Sequence, residues 1–260
     1  MKRKLTRLLR LLLLCGIVAT FGALISLWTL KDLNGRTPLS LYSDFENYIA
    51  PKAHGAIAIE RSRTSAVKIA SGVPGLWGGL AFSSGTYFTA NNRYYVLTVH
   101  HGMVGPCATT FAIYEDEFYA CKEIVIDDER HDYAIIEIDQ IPTRTPIQIP
   151  KHLPSELEWK DAYSLMQRTI YTGYPNTLGP LTLRGDVVGF YGTEYMYVFS
   201  YAWGGSSGSG VFDEDGNYVG YIIAIDVGQT EFGVDVLENV VLVVPSFNVD
   251  WSSILKENEK

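Results

Sequence analysis

"WGGSSGSGVF", residues 203–212, packs three serines and three glycines into positions 205–210. That is the composition of a flexible linker, yet Trp203 precedes the run and Val211-Phe212 follow it, residue types that usually bury. The stretch is either a tether or a tight loop that presents one serine. The second reading carries a chemical requirement. A serine hydroxyl becomes a nucleophile only beside a base, and an imidazole base needs a carboxylate to fix its tautomer.

Outward from this loop the chain reads as β structure. "AVKIA", "GGLAFSS", "TYFTA", "YYVLTV", "TTFAIYED", "EFYACKEIVI" and "YAIIEI" are short apolar or alternating runs, and "ANNRYY" supplies a tight turn between two of them. In "IPTRTPIQIPKHLP", Pro142, Pro146, Pro150 and Pro154 recur at every fourth position, which excludes both a helix and a central strand. The β pattern then resumes with "RTIYTGYP", "LTLRGDVVGFY", "YMYVFSYA", "GVFDEDGNYVGYIIAIDV" and "NVVLVVP", where "DEDGNY" marks a hairpin directly after the glycine-serine loop. Phe247, Trp251, Ile254 and Leu255 are spaced for a short terminal helix. The expected organisation is an all-β protein: an N-terminal β unit over 55–141, a proline-rich connector over 142–154, a second β unit over 155–245 and a helix over 246–260.

The first thirty residues have a different task. Lys2, Arg3, Lys4, Arg7 and Arg10 precede an uncharged run from Leu11 to Leu30, which as a helix would extend about 30 Å, the thickness of a bilayer core. This predicts a cytoplasmic basic stub, a single transmembrane signal-anchor, a linker over 31–54, and the remainder of the chain on the extracytoplasmic side, periplasmic or extracellular. A cleaved signal peptide is the competing reading, but its apolar region is usually shorter and no convincing cleavage site follows this one. Leu14 before Cys15 is too large for a lipidation site. Without the five basic residues of the stub, 21 falls to 16 against 29 acidic residues, a balance of −13. Such a surface is not expected to bind nucleic acid.

Cys107 and Cys121, 14 apart, could bridge a hairpin and stabilise it by about 3 kcal/mol, or stand as two unpaired buried thiols. Of the five histidines (His54, His100, His101, His131 and His152), His100 and His101 end the strand-like "YYVLTV", and His131-Asp132 open "YAIIEI". These four residues could form a metal site, but no His-x-x-x-His or Cys-x-x-Cys spacing supports one, so no metal or other cofactor is expected.

Three blocks carry a family resemblance. "VLTVHHG" (96–102) resembles the Leu-Thr-Ala-Ala-His-Cys block of chymotrypsin-like serine proteases, "HDYAIIEI" (131–138) their His-Asp-Leu-Ala-Leu-Leu block, and "GSSGSGVF" (205–212) their Gly-Asp/Asn-Ser-Gly-Gly/Ser-Pro block. They occur in the family's order across most of 55–245, and "SSGTYFTANNRYYVLTVHHG" is similar to the bacterial HtrA-type and glutamyl-endopeptidase branches. About fifteen residues follow "VVLVVP", so no separate peptide-binding domain of the PDZ type is expected.

The resemblance implies two six-stranded antiparallel β-barrels with the active site between them. By position it makes His101 the base, Asp132 the acid and Ser207 the nucleophile; His100 is the rival base, and Asp127, Asp128 and Asp139 are the rival acids. It further implies an oxyanion hole built from the N–H groups of Gly205 and Ser207, and a substrate site with Tyr201 lining the specificity pocket and "YIIAID", including Ile223, Ala224 and Ile225, pairing with an extended peptide. Tyr201 offers no carboxylate for Lys or Arg. Ser206 stands where digestive members have an aspartate that pairs with a freed amino terminus, so activation by cleavage is not expected; Gly210 replaces a proline and Gly102 a cysteine. The expected function is a membrane-anchored serine endopeptidase acting on protein or peptide substrates. The alternative is a catalytically silent relative that binds peptides or a protein partner.

Overall fold

The computed structural model describes residues 53–73, 75, 78–148, 163–230 and 233–255; the side chains of 224–238 lie outside that description. The basic stub, the apolar run 11–30 and all but the last two residues of the expected linker also lie outside it, as do Pro150 and Pro154 of the connector. Among the described residues no helix is long and apolar enough to cross a membrane.

The first element departs from the expected β unit. Residues Ala56–Ser65 form a helix, α1, entered through Gly55 at φ 71°. Four apolar residues in succession, Ala56–Ile59, do not distinguish strand from helix by period, and the good helix formers Glu60 and Arg61 decide locally. The helix packs on the second β unit, with Ala58 against Ile170 and Phe212. Its Ser62 hydroxyl shares a hydrogen bond with Thr172 Oγ1 at 2.7 Å.

The first sheet is built from β1 (Ala66–Gly72), β2 (Leu80–Ala90), β3 (Arg93–Thr98), β4 (Thr110–Tyr114), β5 (Glu117–Ala120), β6 (Glu123–Asp128), β7 (Tyr133–Ile138) and β8 (Ile147–Gln148). Its order is β5-β4-β1-β2-β3-β7-β6, with β8 beside β2. Asn91 and Asn92, at φ 53° and 60°, close the β2–β3 hairpin, and Glu115 and Asp116, at 48° and 66°, close β4–β5. Cys107 and Cys121 are disulfide-bonded across the base of the second hairpin, with Cα atoms 5.2 Å apart.

This sheet corrects the expectation of a six-stranded antiparallel barrel. It has eight strands, seven on an open path and the eighth, β8, off it and parallel to β2. The reason lies in β2, which is longer than β1. Its pairing with β1 stops at Thr86, leaving an edge over Phe88 and Thr89 that Ile147 and Gln148 of the proline connector occupy.

The second unit comprises β9 (Arg168–Gly173), β10 (Leu181–Tyr191), β11 (Tyr195–Phe199), β12 (Gly210–Asp213), β13 (Tyr218–Thr230) and β14 (Gly233–Pro245). These close into a six-stranded barrel in the order β10-β11-β14-β13-β12-β9. Its interior packs Tyr171, Val187, Met196, Val211, Ile222 and Val241. The first sheet encloses Val67, Ile69, Tyr87, Val96, Ile136 and Ile138.

A third apolar cluster joins the two units. Phe88, Tyr95, Leu97, Tyr133 and Ile135 of the first meet Tyr221, Ile223 and Val244 of the second, and Val249, Trp251 and Ile254 from the carboxy-terminal segment complete it. At the start of the expected terminal helix, Ser246–Asn248 form a 3-10 turn instead; α2 covers Ser252–Leu255, and residues 256–260 lie outside the description. Trp251 is the anchor of this segment: its ring lies 5.2 Å from that of Phe88, and its Nε1–H donates to the Ser246 carbonyl at 2.8 Å.

Truncating an aromatic anchor in such a seam typically costs about 3–5 kcal/mol. Trp251→Ala is therefore expected to lower the unfolding free energy by about that amount in urea titration, whereas a change below about 1 kcal/mol would remove Trp251 from the seam.

Candidate active site

β3 delivers the chain into a short 3-10 turn, His100–Gly102, and so presents His101 at the end of the strand. Asp132 stands immediately before β7, the strand that pairs with β3. Its φ of 54° lies in the left-handed region, which Asp tolerates better than most residues. The Asp132 carboxylate accepts twice from one residue: from the His101 backbone N–H at 2.9 Å and from the ring Nδ1 at 2.7 Å. A carboxylate cannot donate, so Nδ1 carries the proton and Nε2 is left as an acceptor.

The neighbouring imidazoles are each held by a different carboxylate. His100 Nδ1 lies 2.5 Å from Asp127 Oδ1, and His131 Nδ1 lies 3.2 Å from Asp128 Oδ2, whose partner oxygen accepts the His131 N–H at 3.0 Å. Asp139 pairs with Lys122 at 2.5 Å. Among the described residues no three His, Cys, Asp or Glu side chains converge as a metal site would require.

The glycine-serine loop that carries Ser207 lies between the two units. Gly205 and Gly208 adopt φ of 93° and 88°, and a Cβ at Gly208 would stand 2.0 Å from the Ser84 carbonyl oxygen. Only glycine allows the loop to approach β2 this closely. Ser84 bonds the loop on two sides: its N–H donates to the Ser207 carbonyl at 2.8 Å and its hydroxyl to the Gly205 carbonyl at 2.7 Å. The Ser84 carbonyl in turn accepts from Thr98 Oγ1 at 2.8 Å, three residues before His101. β3, which leads to His101, and the loop of Ser207 thus grip the same residue of β2.

The Ser207 hydroxyl donates to the Ile223 carbonyl at 3.0 Å. That carbonyl is available because β13 bulges there, its register against β14 shifting between Ile222 and Ala224. Among the described residues neither the Gly205 nor the Ser207 N–H donates a hydrogen bond. Tyr201 and Trp203 stack at 6.1 Å and 11°, both exposed, on the approach to the loop. The side chains of Ala224 and Ile225 lie outside the described residues.

Two residues that hold this geometry were not singled out by the sequence. Ser84 is a buried polar residue whose signal was a serine where a strand interior calls for an apolar residue. Tyr221, buried on β13, donates its hydroxyl to the His131 carbonyl at 2.7 Å, one residue before Asp132, and so braces the acid-bearing turn from the other unit. Burial pushes its phenol pKa up, so it stays a donor.

Residues 83–220 match the family model described as the trypsin-like peptidase domain. No curated protein matches the sequence. Among solved structures, the HtrA-type protease AlgW with a tripeptide is similar at a TM-score of 0.56 and 16% identity, over 75% of this chain and 60% of that one. The serine endoprotease from Yersinia pestis follows at 0.57 and 16%, over 76% and 64%. The active form of the Rv3671c protease from M. tuberculosis stands at 0.56 and 16%, over 76% and 83%. At these identities the likeness is one of fold, and the chain spans less than two thirds of the first two structures' length.

The hydrogen bond to Asp127 raises the His100 pKa above the ordinary imidazole value, against a smaller opposing effect of burial. Asp127→Asn is expected to bring the His100 titration, followed by NMR, back down toward that value; an unchanged titration would show that the pair does not form in solution.

Proposed function

The chain belongs to the trypsin-like peptidase family, and from that premise we propose that it is a serine endopeptidase with Ser207 as nucleophile, His101 as base and Asp132 as acid. The observation that carries the reading is the double grip of Asp132 on the His101 ring and backbone, which leaves Nε2 as the acceptor a general base needs. His101 takes the Ser207 proton as Oγ attacks the peptide carbonyl, and returns it to the leaving amine. Asp132 stabilises the imidazolium between the two steps. The undonated N–H groups of Gly205 and Ser207 support an oxyanion site, where one donor is typically worth about 10²–10³ in rate.

At rest the Ser207 hydroxyl is held by Ile223. An extended peptide laid along β13 takes that carbonyl with its own N–H and frees the hydroxyl to turn to His101. The net value of the displaced bond, about 0.5–1.5 kcal/mol, is small enough for substrate binding to overcome. The same hydrogen bond is the one observation that favours the silent, peptide-binding alternative. The exposed Tyr201–Trp203 stack supports substrates with large apolar side chains rather than Lys or Arg. The proposal includes a membrane tether through residues 11–30 and an extracytoplasmic catalytic unit, which the Cys107–Cys121 disulfide supports because such bonds persist in oxidising compartments.

Ser207→Ala is expected to abolish fluorophosphonate labelling and to lower casein cleavage by about 10⁶-fold, and Asp132→Asn to lower cleavage by about 10⁴-fold. Labelling that survives Ser207→Ala, or a native chain that neither labels nor cleaves, rejects the assignment in favour of the silent alternative.

A further inference from the structure

Three successive peptide units lead to Ser207, and the carbonyl of each is tied down. The Gly204 carbonyl accepts from the Asn176 N–H at 2.6 Å, and the Gly205 carbonyl accepts from Ser84 Oγ at 2.7 Å. The Ser206 carbonyl accepts twice from one residue, from the Ser209 N–H at 3.0 Å and from Ser209 Oγ at 2.6 Å. Ser209 is 0% exposed, and its own carbonyl accepts the Ile222 N–H at 3.0 Å, which locks its backbone to β13. Its hydroxyl occupies space left by Gly173 of β9, where a Cβ would stand 2.1 Å from Oγ. The glycine in one strand therefore makes room for the serine in the loop.

A hydroxyl at this position is not needed to satisfy the Ser206 carbonyl, which already has the Ser209 N–H. What a second donor adds is direction and polarisation. In a trans peptide the C=O and N–H point opposite ways, so fixing the Ser206 carbonyl on Ser209 aims the Ser207 N–H away from it. Drawing electron density toward the carbonyl oxygen also strengthens that N–H as a donor, by roughly 10–30% per added bond. The Ser207 N–H, like that of Gly205, donates to nothing among the described residues.

We propose that Ser209 is a positioning residue for the oxyanion: its buried hydroxyl fixes and polarises the Ser206–Ser207 peptide so that the Ser207 N–H faces the charge that develops on the substrate oxygen. The inference rests on the reading of Ser207 as nucleophile. It assigns distinct tasks to the three serines of the loop, with Ser207 reacting, Ser209 aiming the amide of Ser207, and Ser206 lending the peptide that joins them.

The test compares the full chain with Ser209→Ala and Ser209→Gly, active sites being titrated with fluorophosphonate, on p-nitrophenyl acetate and on its thiono analogue. The C=S sulfur is a poor hydrogen-bond acceptor, so the preference for the oxo ester reports the oxyanion contact itself. Both variants are expected to lose about tenfold in kcat on the oxo ester with KM within about twofold, since a donor is loosened rather than removed. The thiono rate is expected to hold, so the oxo-to-thiono ratio falls about tenfold. That ratio does not depend on how much of a variant folds. An unchanged ratio, with both rates falling together or neither falling, overturns the role of Ser209 and leaves Ser207 standing. A native chain that does not label at Ser207 overturns both.

Discussion

Ser84 is the residue on which the candidate site depends. Its N–H and hydroxyl reach the carbonyls of Ser207 and Gly205, its Oγ accepts the Tyr174 N–H at 2.9 Å, and its carbonyl takes Thr98 Oγ1. Every group it can offer is used, on partners from both β units. Each bond is worth only about 0.5–1.5 kcal/mol net, so together they add little to the adhesion of the units beside an apolar seam of this size. Their contribution is register. Apolar contact is non-directional and would tolerate a slide between the two units, whereas the three bonds that cross between them at this one residue tolerate none.

The seam and the site nevertheless share residues. Tyr133 and Tyr221, whose rings meet at 6.1 Å, lie fully buried in the cluster that joins the units. Tyr133 follows Asp132 directly, and the Tyr221 hydroxyl holds the residue before it. The left-handed conformation at Asp132 costs of order 1 kcal/mol. It is held by these two flanking anchors and by the two bonds the carboxylate makes to His101. Ile223 works the same way on the other side, with its side chain in the seam while the bulge at its backbone turns its carbonyl to Ser207. The residues of the candidate site therefore stand on backbone that the apolar core has already fixed.

This division explains what the sequence revealed. The all-β pattern and the two Asn and Asp-Gly hairpins were legible because period and turn chemistry are local. So was the pairing of Asp132 with His101, because each sits in a block whose pattern is contiguous. The helix at 56–65 was not legible, since Ala-Ile-Ala-Ile fits either period until Ile170 of β9 and Phe212 of β12 supply its seat. The eighth strand was not legible either, because it exists only where β1 stops pairing with β2 at Thr86. Ser84, Tyr221 and Asn176 were missed for the same reason: each acts on a loop or turn thirty or more residues away or through a backbone group, and nothing in the local pattern marks that.

The glycine-serine run is the sharpest instance. As a tether its composition would serve exposure and freedom, whereas Ser206 and Ser209 are 1% and 0% exposed, and Gly208 and Gly210 are buried too. Small side chains are what a loop needs in order to fit between two sheets whose backbones approach it to contact. Glycine brings no stiffness of its own and loses the most conformational freedom on folding, so the order of this loop is imposed from outside, by β2, β9 and β13. The same composition thus gives opposite behaviour in the two settings. What decides between them is the supply of neighbouring backbone groups to which the loop's carbonyls and amides can be tied.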